Sequence, residues 1–215
     1  MSTKVQTHEG TLKYIYIKGE GRNQAMPGEP ERMQYVVSIT FPKNSTGAKH
    51  LQSLIEEEWE DYKKATGVKG KPKTNGIKDE YIKDPSGEID PETEVVRKIP
   101  TGNIIAQFKT NTTWPDGKPQ VVRVFDHKGA NITGAYAQAD WAIGNDSTGV
   151  IFGSAVGNNT GGSNKVTLYL TAVQIGKLKK YEGEVVTPTT LDGDDIDITD
   201  TGVPEIDIDD DEIPF

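Results

Sequence analysis

The chain has no cysteine in its 215 residues, which excludes disulfide staples and thiolate metal sites. Its three histidines, His8, His50 and His127, lie far apart and in no metal-ligand spacing, so each is expected on the surface rather than as a ligand or a base. No apolar run is long enough to cross a membrane, and none follows the start of the chain, so neither a membrane span nor a signal peptide is expected. The five Asn-x-Ser/Thr sequons, beginning at Asn44, Asn111, Asn131, Asn145 and Asn158, then read as chance polar loops. A phosphate-cradling Gly-x-x-x-x-Gly-Lys-Ser/Thr loop is missing. Asp207, Asp209 and Asp211 have the 1-3-5 spacing of a calcium loop, but Glu212 stands where such a loop needs glycine. No nucleophile is paired with a base. The expectation is therefore a protein with no catalytic residues, no metal and no cofactor.

Large apolar residues are also scarce. A hydrophobic content of 33% is low for a fully packed chain, so part of it is expected outside any core. The length suits one domain with insertions and a tail, or two small domains. Charge divides the chain unevenly. Residues 182–215 hold 13 of the 33 acids and none of the 24 lysines and arginines. The remaining 1–181 therefore carry 24 bases against 20 acids, a formal +4 inside a chain whose total is -9. A basic body fits a polyanionic ligand, and an acidic tail can compete for the same surface. From 182 onward no periodic apolar face appears, so this tail is expected to be disordered.

The body reads mostly as short strands. Residues 11–18 (TLKYIYIK) are dense in β-branched and aromatic types and place Tyr14 and Tyr16 on one face of a strand. Gly- and Pro-rich 19–32 form a loop containing Arg22 and Arg32. A second strand, 34–41, ends at Pro42. Ser45 can cap an amphipathic helix over 48–65, with Leu51, Leu54, Ile55, Trp59 and Tyr62 on its apolar stripe, an acidic polar face at 56–61, and Gly67 as its stop. Polar 68–100 reads as a long inserted loop that opens with Lys69, Lys71 and Lys73 and faces a ligand. Segments 103–110 and 120–126 read as a hairpin about the turn 114–119. Over 130–143 a short helix and an irregular strand both fit. Segment 148–156 is a strand bent at Gly153, 157–164 a Gly/Asn turn, and 165–175 the clearest strand.

Two strands, a helix-bearing insertion over 44–100, then more strands suit a mainly β, OB-fold-like closed or partly open barrel over 1–181, with a β-sandwich as the alternative. The region 129–181 also looks like a phage family of single-stranded-DNA-binding proteins, long catalogued as a domain of unknown function. The likeness rests on Gly-Ala-Tyr at 134–136, Gly-Ser at 153–154, the Asn164-Lys165 turn and the strand at 168–175 with Ala172-Val173-Gln174. It implies the OB-fold. The chain closes on Asp209-Asp210-Asp211-Glu212-Ile213-Pro214-Phe215, four acids before an apolar tip. A solvating tail has no use for a final Phe, whereas a ring with acids beside it suits docking into a pocket rimmed by basic groups. This tip resembles the acidic Ile-Pro-Phe terminus of bacterial single-stranded-DNA-binding proteins, with Glu212 inserted. The resemblance implies recruitment of replication and repair proteins by these seven residues.

A sequence-independent binder of single-stranded DNA, active in replication, recombination or repair, needs basic groups for phosphates and aromatic faces for bases. The expected contacts are Tyr14, Tyr16, Arg22, Arg32, Lys69, Lys71, Lys73, Phe108 with Lys109, Trp114, and Phe125 with Arg123 and Lys128. Core packing is the commoner role of a strand aromatic, and Trp114, in a polar turn before Pro115, is the best surface candidate. The competing reading is a protein-interaction module whose acidic tail mimics DNA. The expected partners are single-stranded DNA and tail-binding proteins, with no membrane and a homodimer left open, in the cytoplasm, or in the host cytoplasm for a phage protein.

Overall fold

Runs of β-branched and aromatic residues fix the architecture. The computed structural model describes residues 2–91 and 93–181; the expected acidic tail at 182–215, with its tip, lies outside them. In chain order the elements are β1 (Thr3–Gln6), β2 (Gly10–Tyr16), β3 (Arg22–Asn23), β4 (Met33–Pro42), α1 (Thr46–Thr66), β5 (Ile77–Lys83), β6 (Lys98–Asn111), β7 (Arg123–Phe125), α2 (Thr133–Gln138), β8 (Ala142–Ile143), β9 (Thr148–Thr160), β10 (Ser163–Ile175) and β11 (Lys180–Tyr181). Strands β9, β2, β4, β6 and β10 pair in succession, and the β9–β10 ladder closes the ring. The result is an OB-fold-like closed barrel of five strands rather than a sandwich, with one long helix inserted. Its interior is filled by Leu12, Val37, Ile39, Ala106, Phe108, Ile151 and Val173, each fully enclosed.

Helix α1 follows its sequence signals. The Ser45 side chain accepts from the Ala48 amide at its start, and Gly67 takes a left-handed φ of 71° at its end. Leu51, Ile55 and Trp59 are buried against the barrel, and the Trp59 indole donates to the Gly70 carbonyl at 3.0 Å. Glu58 departs from the expected acidic solvent face. It is buried, and its carboxylate accepts from the Thr3 hydroxyl and the Gly157 amide, both at 2.9 Å, tying α1 to β1 and β9.

Three expectations about connectivity are corrected. Segment 68–100 is not loop throughout: Ile77–Lys83 pairs antiparallel with β6 from Ile77↔Ala106 to Lys83↔Lys98, so β6 starts earlier than its apolar core suggests. Strands β6 and β7 do not form a hairpin with each other. The turn at 114–119 does close locally, with Trp114 N–H donating to the Lys118 carbonyl at 2.8 Å, but β10 lies between the two strands and pairs parallel with both. The expected turn at 157–164 shrinks to Gly161 and Gly162, whose φ values of 58° and 76° permit a two-residue hairpin, and β9 and β10 run right up to it.

Two irregularities shape the outer surface. Tyr14 has a φ of 52°, and the β2–β4 register breaks between Lys13 and Tyr16. This bulge turns Tyr14 and Tyr16 outward while Leu12, which strict alternation would place with them, stays in the core. The second lies where Gly153 was expected to bend its strand. The β9–β10 register slips there, with Leu170 opposite Gly153 and Ala172 opposite Phe152, leaving Thr171 as the extra residue.

Candidate nucleic-acid interface

A row of side chains crosses four strands on the outside of the barrel. Tyr16 of β2 stands opposite Val36 of β4, Val36 opposite Lys109 of β6, and Lys109 opposite Tyr169 of β10. Directly paired residues share a face. Tyr16 and Tyr169 are 40% and 43% exposed, while Phe108, Leu168 and Leu170, their neighbours in sequence or across the row, point into the core. The Arg22 guanidinium lies 5.1 Å from the centre of the Tyr16 ring, so the short strand β3 delivers a cation onto this aromatic.

Beside the row lies a groove of about 590 Å³ whose wall includes Tyr14, Lys73, Lys78, Gln107, Lys109 and Lys165. Backbone pairing explains why lysines so distant in sequence converge. The Lys73 amide donates to the Asn164 carbonyl at 2.8 Å, and Thr74 bridges to Lys165, pinning the segment after α1 against the start of β10. Lys78 comes with β5, whose register sets it against Ile105. Burial pushes the Lys109 ammonium below its usual range, and the positive charges of Arg32, Lys165 and Lys78 push the same way. Among the described residues none of Lys73, Lys78, Lys109 and Lys165 forms an ion pair, whereas Lys13 and Lys43 do, with Glu80 and Asp79. A cluster of ammonium groups with no carboxylate partner among the described residues is an anion site in its chemistry.

Of the residues singled out in the sequence, Tyr14, Lys73 and Lys109 line this groove, Tyr16 and Arg22 belong to the adjoining row, and Arg32 acts on Lys109 by its charge. Lys69 and Lys71 sit just before Lys73; Lys71 is exposed, and the Lys69 carbonyl accepts from Asn164 at 2.9 Å. Arg123 and Phe125 line a separate pocket of about 320 Å³ together with Phe152 and Gln174. Lys128 is in the tight turn next to it, its amide donating to Asp126 at 2.9 Å. Trp114 is 53% exposed on its own hairpin, as its polar turn suggested. Phe108 is a correction: it is completely buried between barrel strands and offers no face to a ligand. Its alternation with Lys109 was the sign of this, because one of two successive strand residues must point inward.

Sequence reasoning missed Lys78, Lys165 and Tyr169. The last was legible. In KVTLYLTAV the apolar Val166, Leu168 and Leu170 claim one face and leave Tyr169 on the other. Lys78 and Lys165 reach the groove only through strand pairings that no local pattern encodes.

The barrel is shared with solved structures of other proteins. The structure is similar to that of gp2.5, a single-stranded DNA binding protein encoded by bacteriophage T7, with a TM-score of 0.55 and 19% identity over 86% of this chain and 98% of that one. It is also similar to the single-stranded DNA-binding protein from bacteriophage Enc34 in complex with ssDNA, with a TM-score of 0.54 and 15% identity over 84% of this chain and 90% of that one. A C-terminal truncation of the Enc34 protein gives a TM-score of 0.55 at 14% identity, over 82% and 87% of the two chains. At such identities the likeness establishes the fold. No protein-family model matches the chain, and no curated protein matches it. Among the described residues no helix is long and apolar enough to cross a membrane.

Proposed function

We propose that this chain binds single-stranded DNA without reading its sequence, on the outer barrel face between Tyr16 and Lys165, and that its role is binding rather than catalysis. The observation that carries the reading is the cluster of four lysines, unpaired among the described residues, beside exposed Tyr14 and the Tyr16–Lys109–Tyr169 row. Phosphates would offset the mutual repulsion of the lysines, and the tyrosine faces would take bases. The same cluster favours a polyanion over a protein-interaction module with no nucleic acid. The bacteriophage proteins whose folds match are described as single-stranded-DNA-binding, and one of them is in complex with ssDNA.

In this reading residues 1–181 are the DNA-binding domain, with 44–100 as its insertion, and 182–215 recruits replication, recombination or repair proteins through Asp209 to Phe215. The setting is the cytoplasm, that of a host for a phage protein. The test is the affinity for oligo(dT) across a salt series. Each neutralised phosphate should add about -0.7 to the slope of log K against log salt. Affinity that is insensitive to salt, or no binding at all, would overturn it.

A further inference from the structure

A second groove, of about 610 Å³, opens along the β5–β6 hairpin and shares Tyr14, Lys78 and Ile105 with the first. Its outer part is formed by Tyr81, Ile82, Lys83 and Lys98. Tyr81 is 54% exposed and Ile82 41%. Lys83 and Lys98 are direct cross-strand partners, both exposed, and neither has an ion pair among the described residues. Like charges placed opposite each other weaken a hairpin, so two facing lysines beside an exposed ring and an isoleucine suit a polyanion that also carries flat apolar groups.

The acids of this stretch do not cancel the lysines. Asp79 is held by Lys43 and Glu80 by Lys13, each at 2.8 Å. Glu80 is buried and further bound by Thr101 and Asn103 at 2.7 and 2.9 Å. Both carboxylates are thus satisfied within the protein, leaving Lys78, Lys83 and Lys98 without an ion pair among the described residues. Beyond Lys83 the sign reverses, with Asp84 half-buried, Glu88 and Glu94 exposed toward the hairpin tip, and Arg97 paired to Glu88 at 3.5 Å.

We infer that the β5–β6 hairpin is a second subsite for single-stranded nucleic acid, which continues the strand path from the barrel groove past Tyr14 and Lys78 to Tyr81, Lys83 and Lys98, and which ends at the acidic tip. The inference rests on the reading of the barrel face as a single-strand site and extends it. Tyr81 supplies a stacking face, Lys83 and Lys98 clamp one or two phosphates, and the carboxylates of the tip repel the next.

The test compares the full chain with Tyr81→Ala and with the double variant Lys83→Gln/Lys98→Gln, on oligo(dT) of about 5 and about 20 nucleotides, lengths that bracket the footprint of one such barrel. The short oligonucleotide should bind all three alike. On the long one Tyr81→Ala should lose about fivefold or more in affinity, and the lysine variant should lower the salt slope by about 1.4, two phosphates' worth. Variants that match the parent on the long oligonucleotide overturn the second subsite and leave the barrel site standing. A parent chain that binds neither length overturns the underlying reading and this subsite with it. Photocrosslinking of the unmodified chain to a bromodeoxyuridine oligonucleotide gives a check that needs no variant. Adducts mapped to residues 81–83 or to Lys98, which line the second groove and not the first, support the path, and adducts confined to other residues overturn it.

Discussion

Gly153 on β9 and Tyr169 on β10 meet backbone to backbone: a Cβ added to Gly153 would collide with the Tyr169 carbonyl and press on the Phe108 ring 3.2 Å away. The close approach comes where the β9–β10 register slips, and it sets the stretch of β10 that carries Tyr169 outward. Gly153→Ala is therefore expected to destabilise the barrel by about 1–3 kcal/mol, the usual cost of overpacking. It should also weaken oligo(dT) binding by displacing Tyr169. Denaturant titration and affinity measured on the same preparation check both parts. A variant as stable as the parent would show that the strands part without cost.

Tyr169 and Phe108 separate a presented aromatic from a packed one. Tyr169→Ala should leave thermal stability nearly unchanged and weaken oligo(dT) binding by about 1–3 kcal/mol, the range for loss of one stacking platform. Phe108→Ala should cost about 3–5 kcal/mol of stability through the cavity it leaves, and should affect DNA only through the fraction unfolded. Calorimetry beside anisotropy distinguishes the two. Equal stability losses would place Tyr169 in the core.

These two residues also show how far the sequence could be read. The strands were legible from their dense β-branched and aromatic runs, and α1 from its Ser45 cap, its apolar stripe and Gly67, because these signals act over a few residues. The pairing of β10 between β6 and β7 was not, since a parallel neighbour leaves no turn to mark it. Polar β5 reads as loop in the sequence because only Ile77 and the side chain of Glu80 turn away from solvent, so it lacks an apolar alternation. The same holds for the site. Tyr14, Tyr16 and Lys109 could be named from local interleaving of aromatic and basic residues. Lys78 and Lys165 join them only through the register of β5 with β6 and the bridge from Thr74.

Lys109 gives a pH dependence with a definite sign. Burial, then the charges of Arg32, Lys165 and Lys78, hold its folded-state ammonium below the usual lysine range. A bound phosphate favours the charged form, so binding takes up a proton wherever Lys109 is partly neutral. Affinity for oligo(dT) should therefore fall as pH rises from neutrality through this lowered value, below the pH at which ordinary lysines titrate. Lys109→Arg, which stays charged, should flatten that part of the profile and leave the decline at the highest pH. Superimposable profiles for parent and variant would remove Lys109 from the phosphate contacts.

Residues 182–215 carry charge of one sign before an apolar tip. Removing this segment takes away 13 acids and no base, and the formal charge moves from -9 to +4. Long-range attraction for a polyanion should rise, with faster association and tighter oligo(dT) binding, most clearly at low salt where the field is least screened. Removing Phe215 alone deletes an uncharged side chain and no lysine, so DNA affinity should stay where it is. If the acidic tip recruits replication or repair proteins by seating its ring in an apolar pocket, that single deletion should abolish their capture, and Phe215→Trp should restore part of it. A chain without 182–215 that binds oligo(dT) more weakly than the whole would mean that the acidic segment contributes to the DNA site instead of opposing it. In that case the division at residue 181 would be misplaced.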